Sequence, residues 1–291
     1  MRKRITAILM TGLLVLAGCS GETTTTTGAS STGSNTTTAG STAGGDREKL
    51  IVGMEANYAP YNWAQPNDAN GAVPIDSSAS FAGGYDVMVA KALAEHMDRD
   101  LVIKQIAWEG LIPAVQNGSI DLIIAGMSVT PDRAESVDFS APYYDSKFVM
   151  LVREGGQYAG AQSLADFSGA RIIGQKSTNY DAVIPQIPDV SHETPLATVP
   201  LIVHAIISDV ADGTVVEKPV AISVTAANPE LVMVEFSEEN GFQDQEGIET
   251  ELNIAMEKGS TELKSQVDEF LNGLTVEERD AMMDEAVANQ P

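Results

Sequence analysis

The sequence predicts an α/β protein whose sheets are built from alternating strands and helices. Short apolar runs of strand length alternate with segments whose apolar residues recur at helical spacing. A strand, a polar turn and a helix follow one another twice, once in each half, within 121–133 and from 170 onward. A chain of 291 residues is long enough for two lobes of ordinary size. Two such turns facing each other would form a cleft, so we expect the functional site there.

The segment 121–133, DLIIAGMSVTPDR, carries the most specific local pattern. Residues 122–125 form a short apolar run that is typical of a strand buried on both faces. Thr130 is a favoured N-cap and Pro131 a favoured first residue of a helix. The turn before this helix would present free N–H groups to an anion such as a carboxylate, which Arg133 could also hold through two hydrogen bonds. The alternative is an ordinary capped helix with a surface arginine.

The remaining elements are predicted from the same periodicities. Strands are predicted at 49–53, 101–106, 137–144, 148–152, 170–174, 214–216, 231–236 and 253–256. Helices are predicted at 84–97, 111–116, 163–167, 201–207, 261–271 and 276–287, with another beginning at Pro219. Residues 65–82 are polar and contain Gly, Pro and Asn, which predicts a long surface loop.

Charge and composition exclude several classes of function. The formal net charge is −24 and the sequence pI is about 4.2, which disfavours binding to nucleic acid phosphates. The single Cys rules out an internal disulfide and a Cys-rich metal site. The three His residues are scattered without the spacing of a zinc site. We therefore expect neither a metal nor another cofactor.

The N-terminus predicts export and a lipid anchor. Basic residues at 2–4 precede an apolar run at 5–16 that is shorter than a membrane span. The run ends in Leu-Ala-Gly-Cys, which resembles the lipobox of bacterial lipoproteins, with Cys19 as the lipidated residue. We interpret 1–18 as a signal peptide and 19–47, rich in Gly, Ser and Thr, as the lipidated Cys and a flexible linker. Acyl chains would then hold the protein on a membrane surface. The alternative is an unprocessed signal segment with a chance Cys.

Five segments together form a recognisable pattern: GMEANYAPYNW (53–63), GYDVMVAKAL (84–93), the long segment 108–144, GQKSTN (174–179) and DGTVVEKPVA (212–221). They resemble the family-3 extracellular solute-binding proteins, the polar amino-acid receptors of bacterial ABC importers. The resemblance implies a type II periplasmic-binding-protein-like fold, a Venus flytrap of two α/β lobes joined by two crossovers. Lobe 1 would comprise 48–146 and 252–291, lobe 2 would comprise 147–251, and closure would bury the ligand between them.

The resemblance also implies which residues hold the two charges of an amino acid. Arg133 would pair with the α-carboxylate, helped by the N–H and hydroxyl groups of Gly126 and Ser128. The backbone N–H of Asn179 would reach the same carboxylate from the second lobe. Glu217 would hold the α-ammonium, shared with the C=O of Gly126 and the hydroxyl of Ser128. The family commonly has Asp at the position of Glu217, so this side chain is longer by one methylene.

The pocket for the ligand's side chain is implied in the same way. Tyr58 and Trp108 would sandwich that side chain, Glu55 would reach its distal group, and Gln175 would line the pocket from the second lobe. The predicted set is completed by Ala125, Ser177 and Thr178. Ser177 and Thr178 stand where the family usually has a turn of Gly and Thr or Ser, which leaves the geometry of that turn open.

The pocket residues favour a long side chain with a cationic or amide tip. Glu55 and two aromatic rings suit arginine, lysine, ornithine, histidine or glutamine, and contact with the rings would favour a guanidinium. Glutamate is disfavoured by the carboxylate of Glu55. The alternative is that Glu55 only orders its loop.

We expect a monomeric binding protein, not an enzyme, whose partners are a free amino acid, an ABC permease and its ATPase. One alternative is a sensory domain that reports the ligand to a partner protein. Another is a dehydratase-like enzyme on the same fold, with Glu55 and Glu217 as acid and base. The sequence contains no recognisable Ser/His/Asp or Cys/His arrangement that would favour the enzyme.

Overall fold

The computed structural model describes residues 47–243, 245 and 249–290. The predicted signal peptide, Cys19 and the linker up to residue 46 lie outside the described residues. In the described part of the chain, no helix combines the length and the apolar character that crossing a bilayer requires.

The described strands and helices alternate over most of the chain. The strands are β1 (Lys49–Met54), β2 (Asn57–Tyr58), β3 (Asn62–Gln65), β4 (Val73–Pro74), β5 (Phe81–Gly83), β6 (Asp100–Gln105), β7 (Leu122–Ile123), β8 (Val137–Asp145), β9 (Phe148–Arg153), β10 (Arg171–Ile172), β11 (Ser191–His192), β12 (Gly213–Glu217), β13 (Leu231–Val234) and β14 (Glu251–Glu257). The α-helices are α1 (Tyr85–His96), α2 (Leu111–Gln116), α3 (Pro131–Ser136), α4 (Asn179–Val183), α5 (Val199–Ile207), α6 (Lys218–Ala227), α7 (Thr261–Gly273) and α8 (Val276–Asn289).

Two five-stranded sheets form the framework of the protein. The first has the order β6-β1-β7-β14-β8 and the second the order β11-β10-β12-β9-β13. In each sheet the first three strands are parallel, and the last two pair antiparallel to their neighbours. The chain leaves the first sheet between β8 and β9 and returns between β13 and β14. The prediction of parallel sheets is therefore only partly right, because β9 enters the second sheet without a crossover helix.

The segment predicted as a long surface loop at 65–82 is instead part of a third sheet. This sheet is antiparallel, with the order β2-β3-β5-β4. Ile75 is buried and forms a bridge to Ile103 of the first sheet. Trp63 is also buried, and its indole N–H donates to Gln65 at 2.8 Å. The prediction failed because these strands are too short to show an alternating pattern.

The start of α3 is confirmed. Thr130 caps the helix by accepting a hydrogen bond from the N–H of Arg133 at 3.2 Å, and Pro131 is its first residue. The strand before it is shorter than predicted, since β7 contains only Leu122 and Ile123, both fully buried. The predicted helix at 163–167 is a 3-10 helix, Leu164–Phe167, that begins with a capping box.

Gly84 connects the third sheet to α1. Its φ of 118° lies in the region that favours glycine. The two following N–H groups, of Tyr85 and Asp86, donate to the carbonyls of Pro60 and Tyr61 at 3.0 and 2.8 Å. A Cβ atom at Gly84 would overlap the carbonyl oxygen of Tyr61. The turn therefore needs glycine for two reasons, its φ and the contact with the 60–61 backbone.

We predict that Gly84→Ala lowers the free energy of unfolding by more than about 2 kcal/mol, because strain and steric overlap add. Gly259→Ala is the matched control: Gly259 has a φ of 87°, and a Cβ atom there would meet nothing within 4 Å. In this control the free energy of unfolding should fall only by the cost of placing alanine at a positive φ, about 1 kcal/mol. Urea denaturation followed by circular dichroism measures both, and equal losses would contradict a role for the contact with Tyr61.

Candidate functional site

The predicted site residues lie where parallel strands end. Glu55 follows β1, Trp108 follows β6, and the turn at 125–128 follows β7. In the second sheet, the turn at 175–178 follows β10 and Glu217 is the last residue of β12. The carboxyl ends of parallel strands are where α/β proteins bind ligands. The structure brings residues of the two sheets into contact at these ends.

Two acidic side chains are buried where the sheets meet. Glu55, after the first sheet, accepts hydrogen bonds from the amide of Gln175, after the second, at 3.4 and 3.2 Å. Glu217 accepts a hydrogen bond from the hydroxyl of Tyr58. Glu55 is 6% exposed and Glu217 2%, so each carboxyl group is almost removed from water.

Burial controls the protonation of these acids. It raises the pKa of Glu55, an effect opposed by hydrogen bonds from Gln175 and Asn57. It raises the pKa of Glu217 to about 8. Glu217 is therefore mainly protonated at neutral pH in this conformation. A cationic group placed beside it would favour the carboxylate and bring the pKa down.

Arg133 connects the turns that follow the two sheets. Its guanidinium donates to the carbonyl of Ser128 at 2.7 Å and to that of Ser177 at 2.9 Å. Its Cζ atom is 5.1 Å from the centroid of the Trp108 ring, within the range of a cation–π contact. Burial lowers the pKa of Arg133 to about 10, so the side chain stays charged at neutral pH.

The turn after β10 contains an unusual backbone conformation. Ser177 has a φ of 63°, in the left-handed region, although it is not glycine. Its carbonyl accepts hydrogen bonds from the indole of Trp108 at 3.1 Å and from Arg133. Thr178 caps α4 by accepting from the N–H of Asp181 at 3.4 Å, and Asn179 is the first residue of that helix. The serine thus adopts the conformation that a glycine would take more readily.

One predicted interaction is not available as described. The N–H of Gly126, expected to help hold a carboxylate, donates instead to the hydroxyl of Tyr143 at 2.9 Å. Gly126 has a φ of 63°, and a Cβ atom there would lie 3.1 Å from the ring of Tyr58. The glycine therefore lets the Tyr58 ring approach the backbone, and its C=O is the group left for a ligand.

Sequence reasoning missed Tyr180. This residue is buried, and its hydroxyl donates to the hydroxyl of Tyr58 at 3.0 Å. The two rings are stacked with centroids 6.3 Å apart. Burial and the charge of Glu55 raise the pKa of Tyr180, while the charge of Arg133 opposes this rise. Its only signal in the sequence was its position directly after the polar turn at 174–179.

A pocket of about 590 Å³ opens beside Arg133, a volume suited to a small molecule. Its walls combine the predicted residues Trp108, Arg133, Ser177, Thr178 and Asn179 with neighbours from α2 and α3. The side chains of Glu55, Tyr58, Gln175 and Glu217 are buried and do not line this pocket. Tyr58 joins Glu217 to Tyr180, and Gln175 donates to Glu55. The described residues contain no group of three or more His, Cys, Asp or Glu placed to hold a metal ion.

Comparisons with known proteins point to one family. A family model described as bacterial extracellular solute-binding proteins, family 3, matches residues 50–285. The "ABC transporter arginine-binding protein 1" of Escherichia coli (strain K12) is 28% identical over 151 residues, covering 50% of this chain and 56% of that protein. The "Probable histidine-binding protein" of Campylobacter jejuni is 30% identical over 183 residues, covering 63% of this chain and 65% of that protein. The chain thus spans between about half and two thirds of the length of these relatives.

A solved structure shows the fold over most of the chain. It is the crystal structure of an amino acid ABC transporter substrate-binding protein from Streptococcus pneumoniae Canada MDR_19A bound to L-arginine. The TM-score is 0.69 at 26% identity, covering 82% of this chain and 94% of that one. The expected two-lobed, periplasmic-binding-protein-like α/β fold is therefore confirmed. Because the family model matches far more than half of the residues, the chain belongs to family 3 of the bacterial extracellular solute-binding proteins.

Proposed function

We propose that this protein captures a polar L-amino acid with a basic or amide side chain and delivers it to an ABC transporter permease. The observation that carries the proposal is a chain of buried contacts between a carboxyl group and a guanidinium. Glu217 accepts a hydrogen bond from Tyr58, Tyr58 accepts one from Tyr180, and the charge of Arg133 acts on Tyr180. A zwitterion needs one cationic and one anionic partner a few ångströms apart. The names of the relatives, which concern arginine and histidine, support the same class of ligand.

The two charges of the ligand would be held separately. Arg133 holds the α-carboxylate, with the N–H of Asn179 at the start of α4 and the hydroxyl of Ser128 beside it. Glu217 holds the α-ammonium together with the C=O of Gly126. Charge-assisted hydrogen bonds contribute roughly 1.5–3 kcal/mol each. Ligands that lack either charged group would leave a buried partner unpaired, so they are rejected.

The side chain of the ligand would extend toward Glu55. The carboxylate and the Gln175 amide next to it bind a guanidinium, an ammonium or an amide, and the rings of Tyr58 and Trp108 provide apolar and cation–π contact. Arginine fits this set best because its planar cation can stack and donate at once. Lysine, ornithine, histidine and glutamine are the other candidates.

Closure would involve two lobes, 48–146 with 252–291 and 147–251. The connections between β8 and β9 and between β13 and β14 are the two crossovers about which the lobes would turn. Glu55, Tyr58, Trp108 and Arg133 then belong to one lobe, and their partners Gln175, Ser177 and Glu217 belong to the other. A ligand bound to both sets stabilises the closed form, which the permease would distinguish from the open one.

The protein would work outside the cell, held to the membrane by acyl chains on Cys19 after removal of residues 1–18. The lipobox-like sequence at 16–19 supports this location. We propose a monomer without catalytic activity, since the relatives are named for binding and transport. Its partners would be the permease and its ATPase.

We predict that Arg133→Ala weakens binding of L-arginine at least about 100-fold, because a buried carboxylate would lose its charged partner. The affinity of Arg133→Lys should lie between those of the wild type and Arg133→Ala, because lysine keeps the charge but cannot donate two parallel hydrogen bonds. Arg47→Ala is the control, because Arg47 pairs with the exposed Asp98 away from the cluster. Isothermal titration calorimetry measures the affinities, and an unchanged affinity in Arg133→Ala would refute the carboxylate assignment.

Glu55→Gln is expected to weaken binding of L-arginine more than binding of L-glutamine. The substitution removes a charge that a guanidinium needs and an amide does not. Glu48→Gln, at an exposed carboxylate paired with Arg99, controls for the lost charge. Competition binding with both amino acids gives the ratio of the two losses, and equal losses would remove Glu55 from the determination of specificity.

We expect ligand binding at pH 7 to release up to about one proton from Glu217. Burial raises its pKa to about 8, and the incoming ammonium favours the ionised form. Affinity should therefore increase as the pH rises toward 8. The same shift means that the protonated group stabilises the unliganded fold below about pH 5, and that this contribution is lost as the pH rises through 8.

Calorimetry in buffers of different ionisation enthalpy measures this proton release. Glu217→Gln has no titrating group at this position and should release no proton, with weaker binding. Equal proton release by the wild type and Glu217→Gln would show that another group titrates.

A further inference from the structure

Asp86 is a fully buried acid that the binding scheme does not use. It lies in the first turn of α1 with no exposed surface. Its two carboxylate oxygens accept hydrogen bonds from different partners, the amide of Asn62 and the hydroxyl of Tyr143, both at 2.7 Å. Burial raises the pKa of Asp86 to about 6, so the group is mainly ionised at neutral pH and both oxygens accept. Neutral donors alone compensate poorly for a buried charge. An acid at this position therefore lowers stability unless its hydrogen bonds serve another purpose.

The first partner leads to the turn that carries Glu55 and Tyr58. While Asn62 donates to Asp86, its side-chain oxygen accepts a hydrogen bond from the N–H of Ala56 at 2.7 Å. Ala56 has a φ of 55°, which is unfavourable for a residue with a side chain. The bond to Asn62 therefore holds the strained position of this turn.

The second partner leads to the turn after β7 in the same way. While Tyr143 donates to Asp86, its hydroxyl accepts a hydrogen bond from the N–H of Gly126 at 2.9 Å. Gly126 has a φ of 63°. Gly126 belongs to the same turn as Ser128, and the carbonyl of Ser128 accepts a hydrogen bond from the guanidinium of Arg133.

The two connections have the same construction. In each, the N–H of a residue with positive φ donates to a buried side chain, and that side chain donates to one oxygen of Asp86. We propose that Asp86 is a positioning residue: by fixing both left-handed turns at once, it sets the distance between the Glu55–Tyr58 segment and the Gly126–Arg133 segment. It acts through Asn62 and Tyr143 and does not touch the ligand.

This proposal rests on the proposed function for its consequence, which is amino-acid affinity. Without the carboxylate, the turns lose their common anchor, and the side chains that contact the ligand would sample more arrangements. Preorganised contacts of this kind determine how much of the interaction energy appears as affinity.

A reciprocal exchange of the two polar residues tests the proposal. In Asp86→Asn, an NH₂ group replaces one of the two acceptor oxygens. In either orientation of the new amide, one of the two donors, Asn62 or Tyr143, therefore loses its acceptor. In Asp86→Asn combined with Asn62→Asp, Asn at 86 donates to Asp at 62 and still accepts from Tyr143. Asp at 62 then accepts from Ala56, so every hydrogen bond is restored.

The full chain carrying each change is titrated with L-arginine by calorimetry. We expect Asp86→Asn to weaken binding about 10-fold or more and the double variant to recover to within about 3-fold of wild type. Asp98→Asn, at an exposed acid just beyond α1, is the matched control and should leave the affinity unchanged. Unchanged affinity in Asp86→Asn, or no recovery in the double variant, would overturn the proposal.

A second measurement does not depend on the ligand. Amide hydrogen exchange, followed by NMR without ligand, should be at least about 10-fold faster at Ala56 or Gly126, or at both, in Asp86→Asn, because the side chain that accepts from that N–H loses its bond to residue 86. Val215 in β12 of the second sheet should keep its wild-type rate. Equal acceleration at Val215 would indicate general destabilisation and overturn a positioning role. If the wild type binds no amino acid, the proposed function fails, while the exchange rates still decide the role of Asp86.

Discussion

The burial of a carboxyl group at the end of a strand is the constraint on which the site depends. All five residues of β12 are buried, so Glu217 is delivered into the interior by a strand that cannot shift without exposing apolar neighbours. An acid in that position either keeps its proton or acquires a partner. The hydroxyl of Tyr58 is its hydrogen-bond donor in this structure, and an ammonium would be a stronger one. The chemistry proposed for the protein follows from this unfavourable burial.

Contacts between the two sets of strand ends use backbone as well as side chains. The carbonyl of Ser177 accepts from both Trp108 and Arg133, and it can do so because Ser177 adopts a left-handed conformation. Ala56 and Gly126 have the same conformation on the side of the first sheet. Left-handed backbone thus occurs in the turns that carry these groups, and it is strained at Ala56 and Ser177, which are not glycine, as is common where a fold orients groups toward a ligand.

Sequence patterns predicted most elements because their signals are local. The cap of α3 depends on Thr130 and Pro131, which are neighbours in the chain, and the central strands are short apolar runs. The segment 65–82 was predicted wrongly because its strands have two or three residues and are stabilised by distant partners such as Ile103. Tyr180 was missed for a similar reason: nothing near it in the sequence indicates that its hydroxyl meets that of Tyr58.

The sequence by itself determined the family, the alternation of strands and helices, and the chemical types of the residues at the strand ends. These properties depend on local spacing and on residue identity, which can be read without coordinates. Only the tertiary structure decided that the N–H of Gly126 belongs to Tyr143, and that one buried acid, Asp86, joins the two turns of the first sheet. Such connections link residues 24 and 57 positions apart, and their energies depend on burial and on hydrogen-bond geometry, which no local pattern contains.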